Sequence, residues 1–404
     1  MSKPVNVDLR GEVAVIMVDS PPVNALSRPV RAGLLAAFSK LDGGTARAAV
    51  LMCRGRTFFA GADISEFGKP PADPWLPEVL AVIEGSEFPV IAAIHGTALG
   101  GGLETAMACH FRMAVPGAKL GLPEVSLGLL PGAGGTQWAP RLIGVEAALD
   151  LMISGRPMGA ALAVERGLVD RLAEGDLEEA ALAWAREIIA EGIQPRRSSA
   201  LPVKSTHLPE GYFDATRVAV AKKTRGLPAP QKIIDCVEAA ATLEPETAVA
   251  VEREGFMELM MSPESAALRH VFFAEREAAK IDDLPADTAP REIASVGIVG
   301  AGTMGGGIAM CCANAGLPVT LLEIDEDALQ RGIDVCHANY ERSAKKGRLS
   351  GEEVERRMGL IQGTTSYRDL ADADLVIEAV FENPDIKKQV FRQLDEVCKP
   401  GAIL

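Results

Sequence analysis

Two glutamates occupy stretches whose apolar character leaves a charge without an obvious reason. Glu104 ends Gly100-Gly101-Gly102-Leu103-Glu104 and opens an apolar run to Cys109, while Glu124 stands between Pro123 and Val125 in Gly121-Leu122-Pro123-Glu124. A carboxylate taken out of water without a partner is expensive. Two carboxylates facing one pocket can hold a water and move a proton, help worth roughly 10²–10⁴ in rate. Three consecutive glycines before a helical run let backbone approach a ligand closely. The helix start then offers N–H groups without internal partners and a dipole that favours negative charge. Such a place stabilises an oxyanion, and losing one such donor typically costs about 10²–10³ in rate.

Taken singly, each feature has a plainer reading. A glycine triplet is more often tight packing, the Glu after it a solvated first-turn residue, and Glu124 a surface turn residue. Two further segments change the balance: Phe59-Ala60-Gly61-Ala62-Asp63-Ile64 before the triplet, and Leu130-Pro131-Gly132-Ala133-Gly134-Gly135-Thr136 after Glu124. In this order and spacing, over residues 1 to about 190, the four segments together resemble the enoyl-CoA hydratase (crotonase) family. The resemblance implies a spiral of β–β–α turns and an acyl-CoA substrate. It implies an oxyanion hole from the N–H groups of Ala62 and Gly101, catalytic roles for Glu104 and Glu124, and substrate contacts from Ala60, Gly61, Asp63, Ile64, Pro131 and Gly132. By the same likeness Glu104 activates water for attack at C3 of a 2-enoyl thioester and Glu124 exchanges the proton at C2. Δ3–Δ2-enoyl-CoA isomerisation is a further activity that Glu124 alone could carry.

A second constellation begins at Val296-Gly297-Ile298-Val299, a short apolar strand followed at once by Gly300-Ala301-Gly302-Thr303-Met304-Gly305 and a helical run from Gly306 to Ala315. A lone GxGxxG is weak evidence, but strand before and helix after is the context that a dinucleotide fingerprint requires. Glu323, at the end of a second strand Val319 to Leu322, is the acidic residue expected to hydrogen-bond ribose hydroxyls. The glycines would admit a pyrophosphate to the helix N-terminus. The later stretch Asp374–Asn383 with Ile386-Lys387-Lys388 resembles the 3-hydroxyacyl-CoA dehydrogenase family. That likeness implies NAD as cofactor, held by Gly300, Gly302, Met304, Gly305, Glu323, Val380, Glu382 and Lys387. Taken alone, Lys387 reads as a solvated helix charge.

The order hydratase, helical connector, dehydrogenase resembles the multifunctional enzymes of fatty acid β-oxidation. Phe272-Phe273-Ala274-Glu275-Arg276 favours the peroxisomal type of that layout over the bacterial one. By the resemblance, the dehydrogenase's catalytic His, its paired acid, and a substrate-side Ser and Asn lie beyond Asp374–Val380. The chain stops at Gly401-Ala402-Ile403-Leu404, which reads as the opening of a buried strand, so a fragment of a longer protein is expected. Residues 294–404 hold one histidine, His337, which precedes that strand and is expected on a helix surface.

The elements that must position these residues can be read coarsely. Val13, Val15 and Met17 alternate as a strand before Ser20-Pro21-Pro22, and Ala48–Cys53 and Pro89–Ile94 are continuous apolar runs typical of buried strands. Leu34–Leu41, Ala147–Ser154 and Leu177–Ala190 read as helices. Further helices are expected at Thr216–Lys223, Lys232–Ala241, Thr247–Met261, Glu264–Lys280 and Leu329–Lys345. Ile281 to Pro290 is a polar, Pro-bearing linker. The expected class is α/β: a crotonase β–β–α spiral over 1–190, a helical connector over 191–285, and an incomplete Rossmann-type parallel sheet over 286–404.

A net charge of −14 argues against a nucleic-acid partner. An anionic ligand must then be held by local N–H groups or a few local Lys and Arg. The 7 cysteines show no CxxC spacing, which suggests no metal site and no redox motif, and fits thiols in a reducing compartment. The N-terminus lacks a secretion signal, and the most apolar stretch, Val90 to Cys109, carries His95 and Glu104, unlike a membrane span. A bacterial cytoplasm, or a peroxisome in a eukaryote, is the expected setting. Two rivals remain: a non-catalytic CoA- and NAD-binding scaffold, and a redox enzyme whose first domain only presents substrate. The two glutamates argue against the first.

Overall fold

Strands whose residues are apolar on both sides need cover on both faces, and the computed structural model shows how it is supplied. It describes residues 3–404 apart from 42, 70, 71, 206, 207, 279, 282 and 286. The chain divides into two compact units, Met1–Ile281 and Asp282–Leu404.

In the first unit β1 (Val5–Arg10) and β2 (Val13–Val18) form a hairpin, followed by α1 (Arg28–Leu41), β3 (Ala48–Cys53), α2 (Leu76–Gly85) and β4 (Val90–Ile94). Next come β5 (Thr97–Leu99), α3 (Gly101–Ala108), β6 (Phe111–Ala114), β7 (Lys119–Gly121), α4 (Gly135–Ile143) and α5 (Val145–Ser154). β8 (Met158–Gly159), α6 (Ala160–Arg166), β9 (Arg171–Leu172) and α7 (Leu177–Glu191) complete the α/β part. The main sheet runs β1-β2-β3-β4-β6-β9, parallel from β2 onward, and β5-β7-β8 form a smaller second sheet.

Period-two alternation sorts the main sheet into two cores. Ala14, Ile16, Ala49, Leu51 and Ala92 face α1 to α3, whereas Val13, Val15, Ala48, Val50 and Ile91 face Ala181, Trp184, Ala185 and Ile188 of α7. This is why β3 and β4 read as unbroken apolar runs. α1 begins earlier than expected, at Arg28, because Pro29 is tolerated in a first turn.

Four helices follow: α8 (Tyr212–Thr224), α9 (Pro228–Thr242), α10 (Pro245–Met260) and α11 (Pro263–Ala278). They do not stand apart. Ile233, Ile234, Cys236 and Val237 of α9 and Leu259 of α10 enter the first core. Asp282 and Ala286 of the expected linker lie outside the described residues, as does Ala279 just past α11.

The second unit contains β10 (Val296–Val299), α12 (Thr303–Asn314), β11 (Val319–Leu322), α13 (Glu326–Lys345), α14 (Gly351–Met358), β12 (Ile361–Thr364), β13 (Leu375–Glu378) and α15 (Pro384–Val397). Its sheet is parallel, in the order β12-β11-β10-β13. β12 carries too few apolar residues to stand out in sequence, since only Ile361 is buried. Ile403 makes a single parallel bridge to Leu375 on β13.

Candidate active site

The loop after β3 is tied residue by residue to the chain entering α3. Phe58 N–H donates to His95 O (2.9 Å), Leu99 N–H to Phe59 O (3.1 Å), and the Thr57 hydroxyl to Thr97 O (2.7 Å). Buried Asn24 closes the other side by donating to Arg54 O and Thr57 O. Gly102 makes this approach possible: a Cβ there would lie 2.4 Å from Phe59 O. The zipper brings Ala62 beside the glycine triplet, so that a Cβ on Gly101 would lie 3.4 Å from Ala62 N. Among the described residues neither the Ala62 nor the Gly101 N–H donates to a protein acceptor, leaving two adjacent donors for a ligand.

Glu104 is 2% exposed. Its Oε1 accepts the N–H groups of Ala133 (2.8 Å) and Gly135 (2.9 Å) at the start of α4. Burial pushes it up to about 7, against the pull of those two donors. Glu124 begins a 3-10 turn, Glu124–Leu127, and reaches the triplet from the other side, since a Cβ on Gly100 would lie 2.9 Å from its Oε1. The residue is partly exposed, but its Oε2 is buried and has no hydrogen-bond partner. Burial, then the nearby charge of Glu104, hold it well above the usual carboxylate range, with Glu252 adding to the effect.

Glu252 on α10 is a further carboxylate at the site, 3% exposed. It accepts from Gly134 N–H (2.8 Å), Thr136 N–H (3.1 Å) and the Thr136 hydroxyl. Burial and the charge of Glu104 push it to about 8, against those three donors. Among the described residues no Lys, Arg or His pairs with any of the three glutamates.

In the second unit Gly300, Ala301 and Gly302 link β10 to α12, whose first turn holds Gly305. A Cβ on Gly305 would lie 1.8 Å from Gly300 O, so only glycine fits there. Gly302 caps α12 with no side-chain bond to its first N–H groups and open space beyond its Cα, which suits a phosphate. Glu323, just past β11, accepts Ala301 N–H (2.8 Å), placing its carboxylate against this loop. Past β13, Lys387 pairs with buried Glu378 (2.9 Å) and exposed Glu382 (3.0 Å). Met304 is exposed and Val380 half-buried. All these residues gather at the carboxyl ends of β10, β11 and β13, where open α/β sheets bind ligands.

Residues 8–200 match the family model described as enoyl-CoA hydratase/isomerase, and residues 295–404 the model of the 3-hydroxyacyl-CoA dehydrogenase NAD binding domain. The chain joins a hydratase/isomerase domain of the crotonase type to a dehydrogenase NAD-binding domain. It is 41% identical over 403 residues to the peroxisomal bifunctional enzyme of Danio rerio, covering 98% of this chain and 55% of that protein. It is 37% identical to the fatty acid oxidation complex subunit alpha of Shewanella amazonensis, covering 96% of this chain and 57% of that protein. The chain thus spans little more than half the length of these relatives. A solved enoyl-CoA hydratase/isomerase from Pseudoalteromonas atlantica superposes with a TM-score of 0.50 at 25% identity, covering 68% of this chain and 98% of that one. No helix among the described residues is long and apolar enough to cross a membrane.

Within the hydratase/isomerase domain the structure brings Ala62, Gly101, Glu104 and Glu124 together. Gly61 is buried. Asp63 caps the turn Ile64–Glu66 through Ser65 N–H (3.0 Å). Pro131 packs at Gly135, and Gly132 lies under the ring of Phe256, where a Cβ would come within 2.3 Å. Sequence reasoning missed Glu252 and Phe256. Neither belongs to a motif, and only the α10 spacing Ala248, Glu252, Gly255, Phe256, Leu259, an i, i+4, i+7 stripe containing one acid, hinted that this Glu turns inward.

Proposed function

We propose that this chain hydrates trans-2-enoyl-CoA to 3-hydroxyacyl-CoA. The observation that carries the reading is two adjacent free N–H groups, Ala62 and Gly101, flanked by buried Glu104 and by Glu124 with its buried, unpartnered Oε2. The thioester oxygen takes up charge between the two donors, where it is stabilised without reorganisation. Glu104, with a midpoint near neutrality, orients the water and takes its proton as the oxygen attacks C3. Glu124, whose carboxyl burial and the charge of Glu104 hold well above the usual carboxylate range, delivers a proton to C2. Environments that push two carboxylates apart in this way separate the base from the acid. Ala60, Gly61, Asp63, Ile64, Pro131 and Gly132 shape the acyl-CoA cleft.

Glu124 could also carry a proton between C4 and C2 of a 3-enoyl thioester, an isomerisation that needs no activated water. Its unpartnered Oε2 favours that activity as a second one. Loss of the enoyl absorbance of crotonyl-CoA tests the reading. Glu124→Gln should abolish hydration and isomerisation alike, whereas Glu104→Gln should spare isomerisation more. Hydration by both variants at wild-type rates would overturn the assignment.

For the second unit we propose NAD binding by Gly300, Gly302, Met304, Gly305, Glu323, Val380, Glu382 and Lys387. The loop fits: its glycines admit a pyrophosphate and Glu323 is placed for ribose hydroxyls. Bound NAD supplies a hydride acceptor. A full-length protein of this layout would oxidise the 3-hydroxyacyl-CoA that hydration produces, within fatty acid β-oxidation. The functional division is residues 1–190 for acyl-CoA chemistry, 191–285 as connector and 286–404 for NAD. The setting would be a bacterial cytoplasm, or the peroxisome in a eukaryote.

A further inference from the structure

The turn that leads into α4, residues 133–136, presents four successive backbone N–H groups, and two carboxylates take them alternately. Ala133 and Gly135 donate to Glu104 from the α/β part, and Gly134 and Thr136 donate to Glu252 from α10. Successive N–H groups at a helix start diverge, so one carboxylate cannot satisfy all four. Glu252 is fastened further. The Thr136 hydroxyl donates to its Oε2 and itself accepts from Gln137 Nε2 (3.0 Å). α10 is held close over the turn because Gly255 has no side chain, a Cβ there lying 3.1 Å from Leu130, and because Phe256 covers Gly132.

From this arrangement we infer that Glu252 is a positioning residue of the hydratase site: it fixes the 133–136 turn, and through that turn the direction in which Glu104 presents its carboxylate to water. The inference rests on the role proposed for Glu104. Glu252 lies outside residues 8–200, the stretch matched by the enoyl-CoA hydratase/isomerase family. The base of that domain is therefore oriented by a helix from the following segment. Removing the Glu252 acceptors would leave Gly134 and Thr136 with buried donors and no partners. The turn would then rotate to find others, and Gly135 would carry Glu104 with it. A carboxamide at this position keeps one acceptor oxygen, and its NH₂ would face either Gly134 N–H or the two Thr136 donors.

The test measures crotonyl-CoA hydration by the full chain carrying Glu252→Gln, Glu104→Gln and both substitutions. Glu252→Gln should lower kcat about 10-fold or more with KM changed less than about threefold, as for a loss felt in the transition state. On the Glu104→Gln background the same substitution should change the residual rate less than about twofold, because the residue it positions is gone. Equal fold losses on both backgrounds would mark a general structural effect and overturn the inference, as would a single variant within twofold of wild type. Thr136→Val, which removes the hydroxyl donor, against Thr136→Ser, which keeps it, reads the same link if Glu252→Gln does not fold. A kcat lowered by Val and restored by Ser supports the inference, and equal values overturn it. Near wild-type turnover by Glu104→Gln alone would instead sink the proposed role of Glu104, an outcome distinct from the others.

Discussion

Replacing Glu104 by Gln should make the enzyme worse and the fold better, and the two effects can be sized separately. Gln retains a carbonyl oxygen for the N–H groups of Ala133 and Gly135, so the local structure has what it needs. What is lost is the proposed base, and turnover of crotonyl-CoA should fall about 10²–10⁴-fold. The stability change follows from linkage. Burial raises Glu104 from 4.5 to about 7 in the folded protein, so its favourable contribution is complete below 4.5 and is lost as pH rises through 7. At about 1.4 kcal/mol per tenfold, the folded state gives up roughly 2–3 kcal/mol between pH 5 and pH 8 by ionising this buried group. Gln does not titrate. The variant should therefore gain on wild type by about that amount between the two pH values, a relative rise in Tm of several degrees for a unit of this size. The assay is denaturant or thermal unfolding of both proteins at pH 5 and pH 8, beside a hydration rate at each pH. A stability gap that stays constant or narrows with pH, or turnover near wild type, would refute the reasoning.

Gly135→Ala should strike the same group through packing, because its Cβ would lie 2.6 Å from Pro131 and 2.9 Å from Glu104 Oε1. A stability loss of about 1–3 kcal/mol with a larger fall in kcat than in acyl-CoA affinity is expected from unfolding curves and initial rates. The second unit should prefer NADH to NADPH, because Glu323 stands against the glycine loop and Ile324 to Asp327 supply no cation for a 2′-phosphate. Calorimetry showing the reverse order would contradict the placement of Glu323. His337 sits on α13 with its side chain 52% exposed, 3.9 Å from Glu341. On an exposed helix surface it should not take part in hydride transfer, so NADH formation from 3-hydroxybutyryl-CoA should be unchanged by His337→Ala.

The sequence by itself determined the two places where chemistry can happen. Gly102, Gly300 and Gly305 are needed because a Cβ at each would lie within 3 Å of backbone oxygen. Strand β3 and strands β10 and β11 were equally legible, being short apolar runs bounded by turn residues. The residues from 191 onward read as helices, yet nothing local said that α9 and α10 would enter the core of the preceding domain. That is a matter of which apolar stripe meets which, and contacts between residues 104, 134 and 252 span too much chain for periodicity to report. Only the tertiary structure set Glu104 and Glu252 on the start of α4 and Glu124 against the glycine triplet. Burial raises all three, and the charge of Glu104 adds to the rise at Glu124 and Glu252, an effect that no pattern within the sequence reports.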